Sequence, residues 1–474
     1  MANYPYDVAI LGGGPGGYVA AIRASQLGLK AVVIEMDKLG GVCGNWGCIP
    51  SKALINQAEA FHAIEALAHM GVKVDVSGLD YSKVQAKSRT AAERSGKGVQ
   101  FLLKKNKVEV VNGTGVITGA HEITVTSPAG SAAPQKISAH YLLVATGSRP
   151  RELPGMEFDE KQVLSSTGIL ALTSLPKSLL ILGSGAIGME FAFVMRTFGV
   201  EVTVVEMLPR ILPIEDHDTA AVVEKAFVKN GVKFLVGTTA SALKKTATGI
   251  ELTVSKEGKT EVLQAEKLLV AVGRVPNTAN VGLEKAGVKL ERGFVTTKDY
   301  YQTDAASIFA IGDVLPSPLL AHVASKEGEI AVEYMASKLK GTTPPHEKKL
   351  DPMAIPGATY CEPQIASFGL TEDKAKEKKL VYKAYSFPYS GNGKANAIER
   401  PEGLVKVLFD PTTHEILGAH TVGASATELI HELLLAKKAE LLPEDIATMV
   451  HAHPTLGESV MEAARGAEGW AIHI

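Results

Sequence analysis

The stretch YDVAILGGGPGGYVAAIRASQLGLKAVVIE, Tyr6–Glu35, decides the fold. An apolar run ends in clustered glycines, a helical pattern follows, and a second apolar run ends in an acid. That order predicts strand, tight turn, helix, strand. Gly12, Gly14 and Gly17 stand in the GxGxxG frame. The first glycine permits the turn, the second lets a pyrophosphate approach the backbone, and the third packs helix on strand. The helix start offers N–H groups and partial positive charge to phosphates. Glu35, 18 residues beyond Gly17, is the expected acceptor for a ribose hydroxyl.

The frame recurs at an offset of 171 in SLLILGSGAIGMEFAFVMRTFGVEVTVVE, where Gly183, Gly185 and Gly188 precede Glu206. LVATGSRP (Leu143–Pro150) and LVAVGRVP (Leu269–Pro276) form a second matching pair, and Gly273 of the latter belongs with the second nucleotide. Two dinucleotide units of similar design are therefore expected. IFAIGDV (Ile308–Val314) lies after the second unit, so the first domain is expected to resume there, with the second inserted in it. The predicted domains are 1–150 with 275–345, then 151–274, then 346–474. The predicted class is α/β, with two Rossmann-like domains and a C-terminal α+β domain.

In that last domain IASFGL, LVKVLFD and ILGAHTVG read as strands and DPTTHE as a hairpin turn. ATELIHELLLAKKA and PTLGESVMEAARGA read as amphipathic helices. The charge run TEDKAKEKK reads as a solvated helix face, and PAGSAAPQ (128–135) as a surface turn.

A carboxylate at Glu206 repels a 2′-phosphate, and Met207, Leu208 and Pro209 separate it from Arg210, so NAD is expected over NADP. With 46% apolar residues and 21% charged, the chain can bury large cores. A net charge of −2 argues against nucleic acid or an anionic membrane as main partner. No apolar run approaches the ~18 residues of a membrane span. The start MANYPYDVAI lacks a basic segment and an apolar signal core, so cytoplasm is the expected location, with a mature organellar protein reading the same.

Three cysteines make no structural disulfide framework. Cys43 and Cys48 lie five apart in GGVCGNWGCIPSK, just after the first nucleotide unit. A close pair that forms a disulfide in a reducing compartment is usually catalytic. Zinc would find only half a tetrahedral set, with Cys361 remote and unaccompanied. Two inert thiols are the other alternative. In a regular helix residues five apart lie roughly 8–9 Å between Cα atoms, whereas a disulfide needs less than about 7 Å. Bridging therefore demands an irregular helix, which Gly44 and Gly47 make accessible. Pro50 fits the first turn of a following helix. A helix start near the pair would favour the thiolate.

A flavin beside the cysteines suits the first nucleotide site, where Asp313 adds an acid at a strand end; a diffusible nicotinamide suits the second. A dithiol cycle also needs a proton acceptor. HAHPTLGES (His451–Ser459) offers His453, with Pro454 expected at the first position of a helix and Glu458 able to fold back on the imidazole. On its own, an ordinary surface histidine is the plainer reading of His453. His451 and His420 read as ordinary.

GGVCGNWGCIPSK, GSGAIGME, VAVGRVPN, IFAIGDV and HAHPTLGES together resemble the flavoprotein disulfide reductases, in order over essentially the whole chain. Among these the chain is most similar to the branch that oxidises dihydrolipoyl groups. The resemblance implies FAD, NAD+ and a homodimer whose active site is shared between subunits. It implies Cys43 as the interchange thiol, Cys48 against the flavin, His453 as acid/base and Glu458 as its orienting partner. It also implies Lys52 near the flavin and paired with Glu190, and Asp313 at the ribityl–phosphate region. Ala321 would open a helix under the flavin, and Gly115 and Ala240 would contact the two adenosines. The implied partners are lipoyl domains of an acyltransferase or of a glycine-system carrier protein. Another FAD disulfide reductase, or a docking role within a complex, is the alternative. A glutathione-type reductase would carry an aromatic lid where Ala186 stands, and a mercuric or large thioredoxin reductase would carry cysteines near its end, where this chain reads GWAIHI. Gly44 and Trp46 depart from the family, which more often has Leu and a small or aliphatic residue there.

Overall fold

A computed structural model describes residues 4–127 and 133–473. The turn expected at 128–135 falls mainly on 128–132, outside the described residues. The chain divides into two compact units, one of Met1–Ala53, Ser82–Arg151 and Gly273–Leu350, the other of Leu54–Tyr81, Glu152–Val272 and Asp351–Ile474.

In the first unit the strand Tyr6–Leu11 pairs in parallel with Ala31–Glu35 on one side and Gln135–Val144 on the other. Glu109–Asn112 extends the sheet beyond Ala31–Glu35. Ile308–Ala310 joins Gln135–Val144 in parallel, with Ile308 opposite Leu142, so the chain returns to the first sheet after the second nucleotide unit. The central strands are near-continuous apolar runs, and Val8, Ala9, Ile10, Val32 and Val33 are fully buried, as a parallel sheet covered on both faces requires. The helices Pro15–Gln26 and Ala321–Lys340 pack backbone to backbone. A Cβ on Gly16 would lie 3.0 Å from the Ala324 carbonyl oxygen, and one on Gly328 would lie 2.9 Å from that of Gly16.

The second unit repeats the plan. Ser178–Leu182 lies between Glu201–Val205 and Lys267–Val270, all parallel, with Lys233–Leu235 and Val163–Leu164 at the edges. The same unit holds a five-stranded antiparallel sheet in the order Gly357–Thr359, Gln364–Gly369, Ile416–Gly423, Leu404–Phe409, Lys383–Pro388. Asp410 and Glu415 close the hairpin expected at DPTTHE, through Asp410 N–H to the Glu415 carbonyl. The helices Ala426–Lys438 and Glu458–Ala467 bury Ile430, Leu433, Val460 and Ala463 in its core.

Two local expectations change. The helix expected from Pro454 begins at Glu458, and residues 451–457 form an irregular loop. That loop holds itself together with side chains, Thr455 Oγ1 donating to the Ala452 carbonyl and Glu458 accepting from Thr455 N–H. The charge run around Glu372–Glu377 does form a short helix capped by Thr371, but it is not wholly a solvated face. Glu372 joins Asp216 and Asp218 around the buried ammonium of Lys406, at 2.6, 2.9 and 2.7 Å. A buried lysine is tolerated when carboxylates surround it, and here they tie the antiparallel sheet to the His217–Lys229 helix. Among the described residues no helix is long and apolar enough to cross a membrane.

Candidate redox site

Cys43 and Cys48 are joined by a disulfide with Cα atoms 4.7 Å apart. The helix Gly41–Trp46 stops, Gly47 takes non-helical angles (φ −153°, ψ −112°), and a new helix runs Cys48–His62. The interruption expected from the spacing thus sits at Gly47, with Pro50 in the first turn after it. Asn45, in the helix Gly41–Trp46, is buried and donates to the Leu39 and Gly41 carbonyls. Gly44 is also buried, and a Cβ there would approach Ser95 Oγ only to 3.6 Å.

The disulfide segment is built onto the first glycine loop. Gly40 N–H donates to the Gly13 carbonyl at 2.9 Å. Gly41 has φ +55°, and a Cβ on it would fall 2.7 Å from Gly14 Cα. Glycine at 41 is therefore what lets the redox segment lie on the nucleotide loop.

Both loops have the shape a pyrophosphate needs. Gly12 and Gly183 have φ +111° and +96°, conformations that favour glycine. A Cβ on Gly17 would lie 1.8 Å from Gly12 O, and one on Gly188 would lie 2.1 Å from Gly183 O. The middle glycines differ: a Cβ on Gly14 would meet Gly41 Cα at 3.8 Å, and one on Gly185 would meet nothing within 4 Å. Gly14 and Gly185 cap their helices without a side-chain hydrogen bond, so the first N–H groups remain for an anion. These residues fit two dinucleotides.

The two acids have a further duty. Glu35 accepts from Gly13 N–H at 2.7 Å and from Asp37 N–H at 2.8 Å. Glu206 accepts from Ser184 N–H and Oγ at 2.9 and 2.8 Å and from Leu208 N–H at 2.9 Å. Each carboxylate therefore also pins its glycine loop; a carboxylate with about four acceptor sites retains capacity for ribose hydroxyls.

Asp313 accepts from Ser148 Oγ, and Arg274 lies 3.8 Å from it while donating to Ser148 Oγ and O. Ser148 and Arg274, each directly after the glycine of the two matching segments LVATGSRP and LVAVGRVP, are thus structural partners of Asp313 that the sequence alone did not single out. Gly273 (φ +111°) precedes the strand Arg274–Pro276, which pairs with Ser148–Pro150. Ala321 opens the 20-residue helix Ala321–Lys340, whose start has no side-chain cap. Beneath it, buried Glu327 accepts from Gly312 N–H at 2.6 Å. Burial raises its carboxyl to about 7, against the Gly312 N–H, which favours the charged form.

Gly115 pairs with Val125, and a Cβ on it would strike Leu11 at 2.5 Å. Ala240 lies at a bulge opposite Val254. Lys52 is in the helix after the disulfide, and buried Glu190 accepts from Tyr360 N–H at 3.2 Å. Cys361 is buried, its thiol directed at the Pro363 carbonyl.

In the second unit His453 Nδ1 lies 2.9 Å from Glu458 Oε1, and its side chain is 76% exposed. Glu458 Oε2 accepts from Thr455 N–H at 2.9 Å. Buried Asn392 donates to the Thr455 carbonyl and to Ser459 Oγ, fixing the loop from beneath. Burial pushes the Glu458 carboxyl up, but the Thr455 N–H and His453 outweigh it and hold the carboxyl below its ordinary value. His453 thus presents its other ring nitrogen to solvent with a carboxylate behind it, the arrangement of an imidazole prepared to take a proton. His451, expected to be ordinary, makes a second such pair with Glu432 at 2.8 Å.

Residues 6–328 match the pyridine nucleotide-disulphide oxidoreductase family, and residues 355–464 match its dimerisation domain. The chain is 41% identical to the dihydrolipoyl dehydrogenase of Zymomonas mobilis over 100% of both chains. It is 43% identical to that of Corynebacterium glutamicum over 99% of both, and 40% identical to the mitochondrial enzyme of Pisum sativum over 99% of this chain and 92% of that one. The crystal structure of LpdA from Mycobacterium tuberculosis superposes with a TM-score of 0.88 at 29% identity, covering 97% of this chain and 99% of the other. The chain belongs to the pyridine nucleotide-disulphide oxidoreductases.

Proposed function

We propose that this pyridine nucleotide-disulphide oxidoreductase oxidises protein-bound dihydrolipoyl groups to the cyclic disulfide and reduces NAD+. The carrying observation is the Cys43–Cys48 disulfide seated on the first glycine loop through Gly40 and Gly41. Full-length similarity to dihydrolipoyl dehydrogenases supports the choice of substrate.

His453, oriented by Glu458, takes a proton from the first substrate thiol. The thiolate attacks Cys43 Sγ, breaking the Cys43–Cys48 bond and leaving Cys48 as a thiolate. The second substrate thiol then displaces Cys43, which leaves as the thiol by taking the proton from His453, while the second thiol's own proton recharges the imidazole; the substrate's disulfide closes and two electrons pass to the protein's sulfur pair. FAD, held by Gly12, Gly14, Gly17, Glu35, Lys52, Gly115, Asp313 and Ala321, would supply the two-electron relay to NAD+ held by Gly183, Gly185, Gly188, Glu190, Glu206, Ala240 and Gly273. The match to a dimerisation domain supports a homodimer, in which His453 serves the cysteine pair of the partner subunit. Lipoyl domains of a 2-oxoacid dehydrogenase acyltransferase or of the glycine-system carrier are the proposed partners.

The test is NAD+ reduction by dihydrolipoamide, run beside NADPH oxidation by glutathione disulfide. Only the first should proceed. Cys43→Ser and Cys48→Ser should abolish it, and His453→Gln should slow it by about 10²–10⁴-fold, while NADH oxidation by an artificial acceptor partly survives in all three. Normal dihydrolipoamide turnover by Cys43→Ser would overturn the reading.

A further inference from the structure

We propose that Arg89, stacked on Trp46, is a positioning residue that holds Cys43 and Cys48 in register when their bond is open. Arg89 lies on the long helix Tyr81–Lys105, more than forty residues from the pair. Its Nη2 donates to the Asn45 carbonyl at 2.7 Å, within the four residues between the cysteines. The guanidinium carbon stands 4.7 Å from the centroid of the Trp46 ring. Among the described residues Arg89 Nε has no hydrogen-bond partner, and the Asn45 bond and the stack orient the guanidinium, with the Glu93 charge acting on it as well. Trp46 Nε1 donates to Asp37 at 3.4 Å, and the Lys38 ammonium lies 5.5 Å from the ring. The neighbouring Ser88, fully buried, donates from Oγ to the Pro50 carbonyl at 3.1 Å. Adjacent residues of one helix therefore grip the redox segment on both sides of its interruption at Gly47.

Such a grip matters because the segment's own side-chain bonds, from Asn45 to the Leu39 and Gly41 carbonyls, lie on one side of the break only. Pro50 has no N–H to give the Trp46 carbonyl four residues earlier, and Gly47 leaves helical angles. While the disulfide is closed, the covalent bond keeps the two Cα atoms 4.7 Å apart. Once it opens, only non-covalent contacts set the distance between the two sulfurs. That distance fixes how readily the bond re-forms, and so the equilibrium between dithiol and disulfide. Arginine suits the task, since a lysine keeps the charge but loses the planar fork and the stack. The inference rests on Cys43–Cys48 being the redox pair of the proposed reaction.

The test equilibrates the FAD-loaded enzyme with dithiothreitol buffers of graded potential, traps free thiols and reads the Cys43/Cys48 peptide by mass. Arg89→Lys should lower the equilibrium constant for disulfide closure about tenfold, raising the midpoint potential by about 30 mV for this two-electron couple. Trp46→Leu should shift it the same way by a smaller amount. The double variant should shift no further than Arg89→Lys alone, because both act through one contact. An unchanged potential in Arg89→Lys, or fully additive shifts, overturns the proposal. Should Arg89→Lys lose its flavin, Ser88→Ala carries the test: a raised potential supports the grip and an unchanged one refutes it. Thiol trapping needs no lipoyl substrate. A parent enzyme inactive toward dihydrolipoamide would therefore sink the proposed substrate while leaving the grip to be judged on potential alone.

Discussion

The two glycine loops share a sequence frame but not a setting. Each is pinned by its own glutamate, and each has a third glycine pressed onto the carbonyl of the first. They differ in what the chain does next. After Glu35 it folds back through Gly40 and Gly41 and lays backbone against Gly14. After Glu206 it touches the loop through Leu212 N–H to the Ser184 carbonyl and leaves Gly185 open. Position two of the frame follows suit. Gly13 has Leu39 at 2.9 Å from any Cβ, while Ser184 has room for a hydroxyl that bonds Glu206. A covered loop suits a nucleotide retained through turnover, and an open one suits a nucleotide exchanged every cycle.

The comparison breaks most visibly at the third glycine. Gly17→Ala forces a Cβ into backbone, with an expected cost above about 4 kcal/mol, so the variant should purify without flavin or not fold. Gly188→Ala drives its Cβ into the Gly183 carbonyl in the same way and carries a comparable stability cost, but the folded fraction should keep its flavin absorbance while the KM for NAD+ rises at least about tenfold. Equal flavin loss in both would abolish the distinction. Next in size is Glu327, confined to the flavin side. Its carboxyl is raised in the fold, so the stability it contributes is present below about pH 4.5 and is lost as pH rises through about 7. Glu327→Gln should flatten that decline by up to about 3 kcal/mol, read as the denaturation midpoint across pH 4–8. A smaller effect is expected at the middle glycines. Gly185→Ala should change stability by less than about 0.5 kcal/mol and raise the KM for NAD+ severalfold. Gly14→Ala should leave that KM alone and speed flavin loss on dilution. Smallest is Glu206→Gln, which should narrow the preference for NAD+ over NADP+ a few-fold, measured as the ratio of kcat/KM values.

Much of this was legible in the chain. The glycine frames and terminal acids predict strand, turn and helix because turn geometry and phosphate approach admit so few residue types at those positions. The five-residue spacing of Cys43 and Cys48 demands a broken helix, and the break stands at Gly47. The reach of Glu458 to His453 was legible for the same reason, a short local separation. Pro454 misled, because proline at a helix start is a local preference, whereas the loop 451–457 is set by Asn392, from another part of the second unit. The run at Glu372 is mostly the solvated face expected, with Asp373, Lys374, Lys376 and Glu377 exposed, and only Glu372 turns to the buried Lys406 ammonium.

The sequence by itself determined two nucleotide loops, a redox pair between them and a histidine with its carboxylate. Each is written in residues close together, where backbone geometry alone restricts the outcome. Only the tertiary structure decided which loop is covered, that Ser148 and Arg274 hold Asp313, and that Arg89 reaches Asn45. Those contacts join residues tens to more than a hundred positions apart, and nothing in local propensity encodes which partners packing brings within hydrogen-bond distance.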